Sequence, residues 1–146
     1  MKRVARSAIV PHSAEQLFAL VEDIESYPRF LPWCAGAEVK SRAPGSTVAT
    51  LTIGMRGVKK SFTTRNSNRP PEAIDLELVE GPFRHFAAAW RFQPLGEQAC
   101  KVEFSMAFEF ASRALATLLQ PLFERMADSM VDAFTRRADE IHGAKG

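Results

Sequence analysis

The order of hydrophobic and polar positions divides the chain into a strand, a helix, a run of strands and a second helix. Residues 2–10 have strand propensity. Ser13 and Gln16 then have the spacing of a capping box, in which each side chain bonds a free backbone N–H at the helix start. The helix that follows has apolar positions three or four residues apart, at Leu17, Leu20, Val21 and Ile24. We expect this helix to end near Tyr27, because Pro28 disfavours helical backbone in the residue before it.

From residue 37 to residue 110 the apolar positions recur at every second residue, which predicts antiparallel strands with one face buried. Segments with Gly or Pro separate them, and the predicted strands are 39–42, 49–55, 58–66, 74–79, 86–92 and 102–110. The last strand alternates most clearly, and Ser105 and Glu109 fall on its polar face. With residues 2–10 included, we expect a sheet of about six to seven strands.

The C-terminal segment predicts a long amphipathic helix that Ser112 can cap. Its apolar stripe is Leu115, Leu118, Leu119, Leu122, Phe123, Met126, Met130, Phe134, Ala138 and Ile141. Pro121 lies within this stripe and predicts a kink or break near Leu119, with the main helix resuming at the proline. The pattern predicts one domain over residues 1–142 and a disordered tail over 143–146.

This element order predicts an α+β fold in which a strongly bent antiparallel sheet grips the C-terminal helix. The inward positions are aromatic on the sheet and rich in methionine on the helix. A bent sheet around one helix tends to leave a hollow, and methionine suits a binding cavity. The pattern alone nevertheless favours a packed core over a cavity.

Composition narrows the class of protein. The 146 residues are 46% hydrophobic and 25% charged, as in an average globular domain. These values exclude a disordered chain, a collagen-like repeat and a coiled coil, and no apolar run approaches the roughly 18 residues of a membrane span. Cys34 and Cys100 belong to no metal or redox motif, which favours reduced thiols in a cytosolic protein.

The net charge of +2 is unevenly distributed, since seven basic residues and no acid lie between Glu38 and Glu72. Five of them are candidate contacts to RNA phosphate or anionic lipid, namely Lys40, Arg42, Arg56, Lys59 and Lys60. The alternative is that they form the solvated outer face of strands. No exposed aromatic residues interleave with them, so base stacking is not indicated and no DNA partner is expected.

The sequence contains no recognisable catalytic or metal-binding set. Nucleophile-elbow, zinc-protease, P-loop and dinucleotide motifs are missing. His12, His85 and His142 lie far apart, and a catalytic pair of Cys34 with His85 is conceivable but disfavoured. We therefore expect no catalytic residues and no metal site.

Three segments carry a family resemblance: 10–34 (VPHSAEQLFALVEDIESYPRFLPWC), 81–95 (GPFRHFAAAWRFQPL) and 122–141 (LFERMADSMVDAFTRRADEI). They resemble the coenzyme Q-binding, START-like family of the polyketide cyclase/dehydrase superfamily, in its bacterial ribosome association toxin branch. The resemblance implies a helix-grip fold with a hydrophobic tunnel between sheet and helix. It therefore favours a cavity over a packed core.

The resemblance assigns candidate ligand contacts to one apolar set. These are Phe30, Leu31, Trp33, Phe83, Phe86, Trp90, Phe92, Phe104, Met106, Phe108, Met126, Met130 and Phe134. Arg65 or His85 would bond a polar group of the ligand. The aromatic loop Tyr27–Cys34 would act as a lid or touch a membrane.

The function that the resemblance favours is non-enzymatic binding of a hydrophobic ligand, ubiquinone or another polyprenyl quinone, in support of respiration. No other cofactor is then required. The alternative is binding to the large ribosomal subunit, which would block subunit association, and a third reading is a polyketide cyclase-like enzyme. A bacterial cytoplasmic protein, peripheral to the inner membrane in the quinone case, fits the first two.

Overall fold

The computed structural model describes residues 1–55 and 57–143. In this part of the chain the elements are β1 (Lys2–Val10), α1 (Ala14–Glu22), β2 (Cys34–Ala43), β3 (Ser46–Met55), β4 (Val58–Arg69), β5 (Ala73–Glu80), β6 (Phe83–Pro94), β7 (Cys100–Phe110) and α2 (Arg113–His142). A 3₁₀ helix, Ile24–Arg29, lies between α1 and β2. Arg56 and the tail residues 144–146, on which two of the expectations rest, lie outside the described residues.

The strands form one antiparallel sheet in the order β1-β7-β6-β5-β4-β3-β2. The first strand therefore pairs with the last one, and α1 with the 3₁₀ helix carries the chain from one edge of the sheet to the other. The long helix α2 packs against β1, β7 and α1. The predicted α+β helix-grip architecture, a curved sheet around a C-terminal helix, is confirmed.

The two faces of the sheet differ as the alternation predicted. In β7 every second residue from Val102 to Phe110 is buried, whereas Ser105 and Glu103 are exposed. The buried stripe of α2 faces this apolar surface, with Phe123, Ala127 and Phe134 fully inaccessible. The core therefore lies between α2 and the concave face of the sheet. Burial of one such aromatic side chain contributes roughly 1.5–3 kcal/mol to the stability of the fold.

The first helix begins as predicted and ends earlier than predicted. Ser13 Oγ accepts from the Gln16 N–H at 3.1 Å, and Gln16 Oε1 accepts from the Ser13 N–H at 3.0 Å, which completes the capping box. The α-helix ends at Glu22 rather than near Tyr27. The Tyr27 hydroxyl donates to the Val21 carbonyl, which would otherwise accept within a continuing helix. The chain continues in a 3₁₀ helix that contains Pro28.

The predicted break of the last helix is wrong, because α2 is a single helix of 30 residues with Pro121 inside it. Proline removes the donor that would bond the carbonyl four residues earlier, at Thr117. Both Thr117 and Pro121 are exposed, so water can solvate that carbonyl. The strand predicted at 39–42 is also longer, and begins at Cys34.

Candidate functional site

The residues predicted to line a tunnel pack mainly against one another. At one end of the grip the ring centroids of Phe83 lie 5.1 Å from Phe86 and Phe123 and 5.0 Å from Phe110. At the other end Trp90 lies 4.8 Å from Phe104 and 5.2 Å from Phe134. We call this set the aromatic interior: Phe62, Phe83, Phe86, Trp90, Phe92, Phe104, Phe108, Phe110, Phe123 and Phe134. These separations are those of packed aromatic pairs.

The hollow expected at these positions is therefore occupied by side chains. A cavity beside Trp90 has a volume of about 20 Å³, which is close to the space of one water molecule. Its walls include Thr47, Asn66 and Asn68, polar residues of the concave face that sequence reasoning missed. Their strands alternate as expected, so the alternation itself could have shown that these polar residues point to the concave face.

The aromatic loop between the 3₁₀ helix and β2 is clamped onto α2. The Leu31 N–H donates to the Tyr27 carbonyl at 2.9 Å, and the Gly54 N–H donates to the Trp33 carbonyl at 2.9 Å. The Phe30 ring lies 5.2 Å from the Phe134 ring, and the Arg137 guanidinium lies 5.2 Å from the Phe30 centroid. That last distance is within the range of a cation–π contact.

This clamp changes the expected role of the loop. Tyr27, Leu31 and Trp33 are buried, and Phe30 is half-buried, so the loop does not offer its large apolar side chains to a membrane surface. They fix the loop against the helix instead. No helix in residues 1–55 and 57–143 is long and apolar enough to cross a membrane.

A groove of about 310 Å³ opens between this loop and α2. We call it the loop groove, and its walls are Phe30, Pro32, Trp33, Leu122, Arg125, Met126, Ser129, Ala133, Arg136 and Glu140. The volume is at the small end of ligand pockets, which span about 300–1,000 Å³. Of the predicted ligand contacts, Phe30, Trp33 and Met126 line the loop groove. Leu31, Met106 and Met130 are core residues, as are the predicted contacts that belong to the aromatic interior.

Trp33, one of the wall residues of the loop groove, has an unsatisfied donor whose nitrogen atom is itself buried. Trp33 is only 5% exposed, and its Nε1 has no hydrogen-bond partner in the described part of the protein. A buried donor without a partner costs about 1–3 kcal/mol. Two arginines, Arg125 and Arg136, and one acid, Glu140, complete the polar part of the wall, so its formal charge is positive.

The residues predicted to bond a polar group of the ligand lie elsewhere. Arg65 is exposed on the convex side of β4 and pairs with Glu77 of β5 at 3.6 Å. His85 is exposed on the same side of β6. The concave parity of β4 belongs to Thr64 and Asn66, so the structure does not bring Arg65 or His85 to the interior.

The predicted phosphate contacts are divided by ion pairs. Lys40 pairs with Glu38 at 3.1 Å and Arg42 with Glu25 at 3.0 Å. The predicted contact Arg56 lies outside the described residues. Lys59 and Lys60 are exposed and make no ion pair with another described residue. The continuous basic face expected from the sequence is thus reduced to smaller groups.

One such group is associated with the aromatic loop and the hairpin that bonds it. Lys59 and Lys60 lie opposite Gly54 and Ile53 in the β3–β4 hairpin, and this hairpin bonds the carbonyl of Trp33. Two arginines are also exposed: Arg29, which precedes Phe30 in the chain, and Arg136, which lines the loop groove. We call the four basic residues the loop end: Arg29, Lys59, Lys60 and Arg136.

The thiols have the character of buried structural groups. Burial raises the pKa of the Cys34 thiol, and burial together with the charge of Glu15 raises the pKa of Cys100 to about 11. A raised pKa lowers the thiolate fraction, so neither cysteine is an activated nucleophile. Burial also raises the pKa of Tyr27. Within residues 1–55 and 57–143 no group of three His, Cys, Asp or Glu side chains could hold a metal ion.

Comparison with known proteins adds a family. A family model described as polyketide cyclase/dehydrase and lipid transport matches residues 10–135. The ribosome association toxin RatA of Escherichia coli K12 is 40% identical over 99% of this chain and 92% of the toxin. RatA of Vibrio cholerae is 43% identical over 98% and 99%. The mitochondrial coenzyme Q-binding protein COQ10 homolog B of Xenopus laevis is 31% identical over 95% of this chain and 59% of that protein.

Solved structures share the architecture. An 18 kDa protein of Caulobacter crescentus has a TM-score of 0.77 and 34% identity, with 99% of this chain and all of that chain covered. The ZhuI aromatase/cyclase of Streptomyces has a TM-score of 0.83 at 18% identity, with 94% and 93% covered. The latter likeness concerns the fold alone. The fold therefore occurs in aromatase/cyclase enzymes as well as in proteins named for ribosome association.

Proposed function

Because the chain belongs to the polyketide cyclase/dehydrase and lipid transport family, we propose a function from its relatives in that family: it is a non-enzymatic protein that binds the ribosome. The most similar relatives reported above are toxins named for ribosome association. The observation that carries this proposal is the 40–43% identity to RatA proteins over nearly the full length of both chains. The large subunit is the expected target, and association of the two subunits is the step that binding would block.

The charge distribution supports a surface for this contact. Ribosomal RNA presents phosphates, and lysine and arginine side chains that replace its counterions provide salt-dependent affinity. A basic side chain already paired with an acid has less to offer. The loop end meets this requirement, since Arg29, Lys59, Lys60 and Arg136 are exposed and make no ion pair with residues in the described ranges.

Charge reversal at two positions tests the proposal. Wild-type protein is expected to cosediment with isolated large subunits at low salt, and added salt should weaken the binding. The Lys59→Glu/Lys60→Glu variant should bind roughly tenfold or more weakly. The matched control is Arg84→Glu/Lys101→Glu, which has the same net charge but alters residues paired with Glu109 and Glu103.

The two variants distinguish a located contact from a general effect of charge. Equal loss in both would mean that net charge, not the loop end, determines binding. Absence of wild-type cosedimentation at low salt would contradict ribosome binding itself. Circular dichroism of each variant checks that the fold is retained.

A second candidate function is binding of a hydrophobic ligand, and the loop groove is the observation that favours it. The family description includes lipid transport, and one relative is named for coenzyme Q binding. Ubiquinone or another polyprenyl lipid would be the bound molecule, and no further cofactor is required. Purification under native conditions, organic extraction and mass spectrometry test it: a quinone or lipid should be enriched over a control domain, and its absence would contradict this function.

A further inference from the structure

We infer that Arg137 is a positioning residue for the ribosome contact, because it holds the aromatic loop on α2 and so fixes the backbone that carries Arg29. This inference rests on the proposed function, ribosome binding, and adds a residue to it. Arg29 belongs to the loop end and would contact RNA phosphate, whereas Arg137 acts through the loop.

The first argument is the contact that Arg137 makes. Its guanidinium carbon lies over the Phe30 ring, 5.2 Å from the centroid, which is within the range of a cation–π interaction. The side chain is 21% exposed, and its Nε is buried with no hydrogen-bond partner among the described residues. Glu140 Oε2 lies 3.9 Å from Arg137 Nη1, near the outer limit for an ion pair. The Phe30 ring is therefore a main partner of this partly desolvated cation.

The second argument is the place of Phe30, where the aromatic loop meets α2. Its ring lies 5.2 Å from the Phe134 ring in an edge-to-face arrangement and 6.2 Å from the Tyr27 ring. Phe30 is only half-buried, so apolar burial holds it less firmly than it holds the rings of the aromatic interior. The attraction of the Arg137 guanidinium adds to this packing and fastens the loop to the helix.

The third argument is the order of residues along the chain. Arg29 directly precedes Phe30, is exposed and makes no ion pair with a described residue. On α2, the exposed Arg136 directly precedes Arg137, so two adjacent arginines face different surroundings. A group on a fixed backbone loses less conformational entropy on binding than one on a mobile loop. Arg137 would therefore raise the affinity for RNA without touching it.

The test compares Arg137→Met with Arg137→Lys, because both replacements are unbranched and only lysine keeps a cation. Cosedimentation with isolated large ribosomal subunits measures the affinity. Arg137→Met should bind about fivefold to tenfold more weakly, as expected for loss of a partly desolvated cation–π contact, and Arg137→Lys should retain most of the affinity. Arg84→Met is the matched control, since it removes the same charge at an exposed position of β6 that pairs with Glu109, and it should bind nearly as the wild type does.

The salt dependence of binding separates positioning from direct contact. Each phosphate contact adds about one unit to the slope of log affinity against log salt concentration. Arg29→Gln should lower both the affinity and this slope, whereas Arg137→Met should lower the affinity and leave the slope unchanged. Adding Arg137→Met to Phe30→Leu should weaken binding no further, because the two residues act through one contact. A slope lowered by about one unit in Arg137→Met would overturn the inference, since Arg137 would then contact phosphate itself.

Amide exchange of the free protein tests the loop without the ribosome. The Leu31 N–H donates to the Tyr27 carbonyl at 2.9 Å, and the Cys34 N–H donates to the Leu31 carbonyl at 3.0 Å. Arg137→Met should accelerate the exchange of both amides while the circular dichroism spectrum stays unchanged. If the wild type binds the ribosome but Arg137→Met alters neither exchange nor affinity, the inference alone is wrong. If the wild type does not cosediment, the proposed function fails and the positioning role fails with it.

Discussion

The loop groove and the aromatic interior are both apolar, yet they differ in how completely their groups are satisfied. In the interior, rings such as Trp90 and Phe134 contact other rings at about 5 Å. At the groove, the wall residue Trp33 has a buried N–H without a partner among the described residues, and Arg136 is exposed. The rings of the interior contact one another, whereas the groove wall includes a donor without an acceptor and an arginine without an ion pair among the described residues.

This difference separates stability from binding. Close packing of large rings contributes most of the folding free energy that single side chains supply. A buried donor without a partner lowers stability, so each one in a native protein needs an explanation. Variants in the interior should therefore change stability, and variants in the groove should change binding.

The largest expected effect belongs to Phe134, which joins the two regions. Its ring is fully buried and contacts Trp90, Tyr27 and Phe30. Phe134→Ala should lower the free energy of unfolding by about 3–5 kcal/mol, measured by urea denaturation. Phe30→Ala, at a half-buried position, should cost clearly less. Equal costs would contradict the division between interior and groove.

The free energy of unfolding at alkaline pH tests the burial of Cys100. Its pKa is raised from 9.0 to about 11 in the folded protein. The unfolded chain therefore loses this proton first, and stability should fall as pH rises from about 9 to about 11. The contribution is at most about 2–3 kcal/mol. Cys100→Ala should flatten this part of the curve, and an unchanged slope would contradict the assignment.

The smallest expected effect on stability is at Trp33. Trp33→Phe loses some contact area but also removes a buried donor that lacks a partner, so the free energy of unfolding should change by less than about 1 kcal/mol. Trp90→Phe, in the aromatic interior, should cost about 1–3 kcal/mol. Thermal unfolding of both variants provides the comparison. A larger loss at Trp33 would mean that its N–H is satisfied in solution.

Local patterns predicted the fold well because each depends on neighbours in the chain. The capping box of Ser13 and Gln16 and the alternation of β7 needed only adjacent residues. The expected break at Pro121 is absent, because the cost of a helical proline depends on whether the freed carbonyl reaches water. That exposure is set by the whole packing of α2, which no short window contains.

The site was harder to predict because it depends on elements distant in the sequence. A run without acids between Glu38 and Glu72 indicated a basic face, but β5 places Glu77 beside Arg65. The apolar set was recognised correctly as inward-facing. Whether its rings leave a hollow depends on how they fit one another, and the members of the set that border the loop groove are Phe30, Trp33 and Met126.

The central claim is that the loop end and the loop groove, not the interior, form the binding surface of this protein. Hydrogen–deuterium exchange with and without isolated large ribosomal subunits measures this most directly. We predict slower exchange in peptides spanning the Tyr27–Cys34 loop and the β3–β4 hairpin, with β6 and β7 unchanged. Protection confined to the convex face of β6 and β7, with the loop and hairpin unaffected, would contradict the claim.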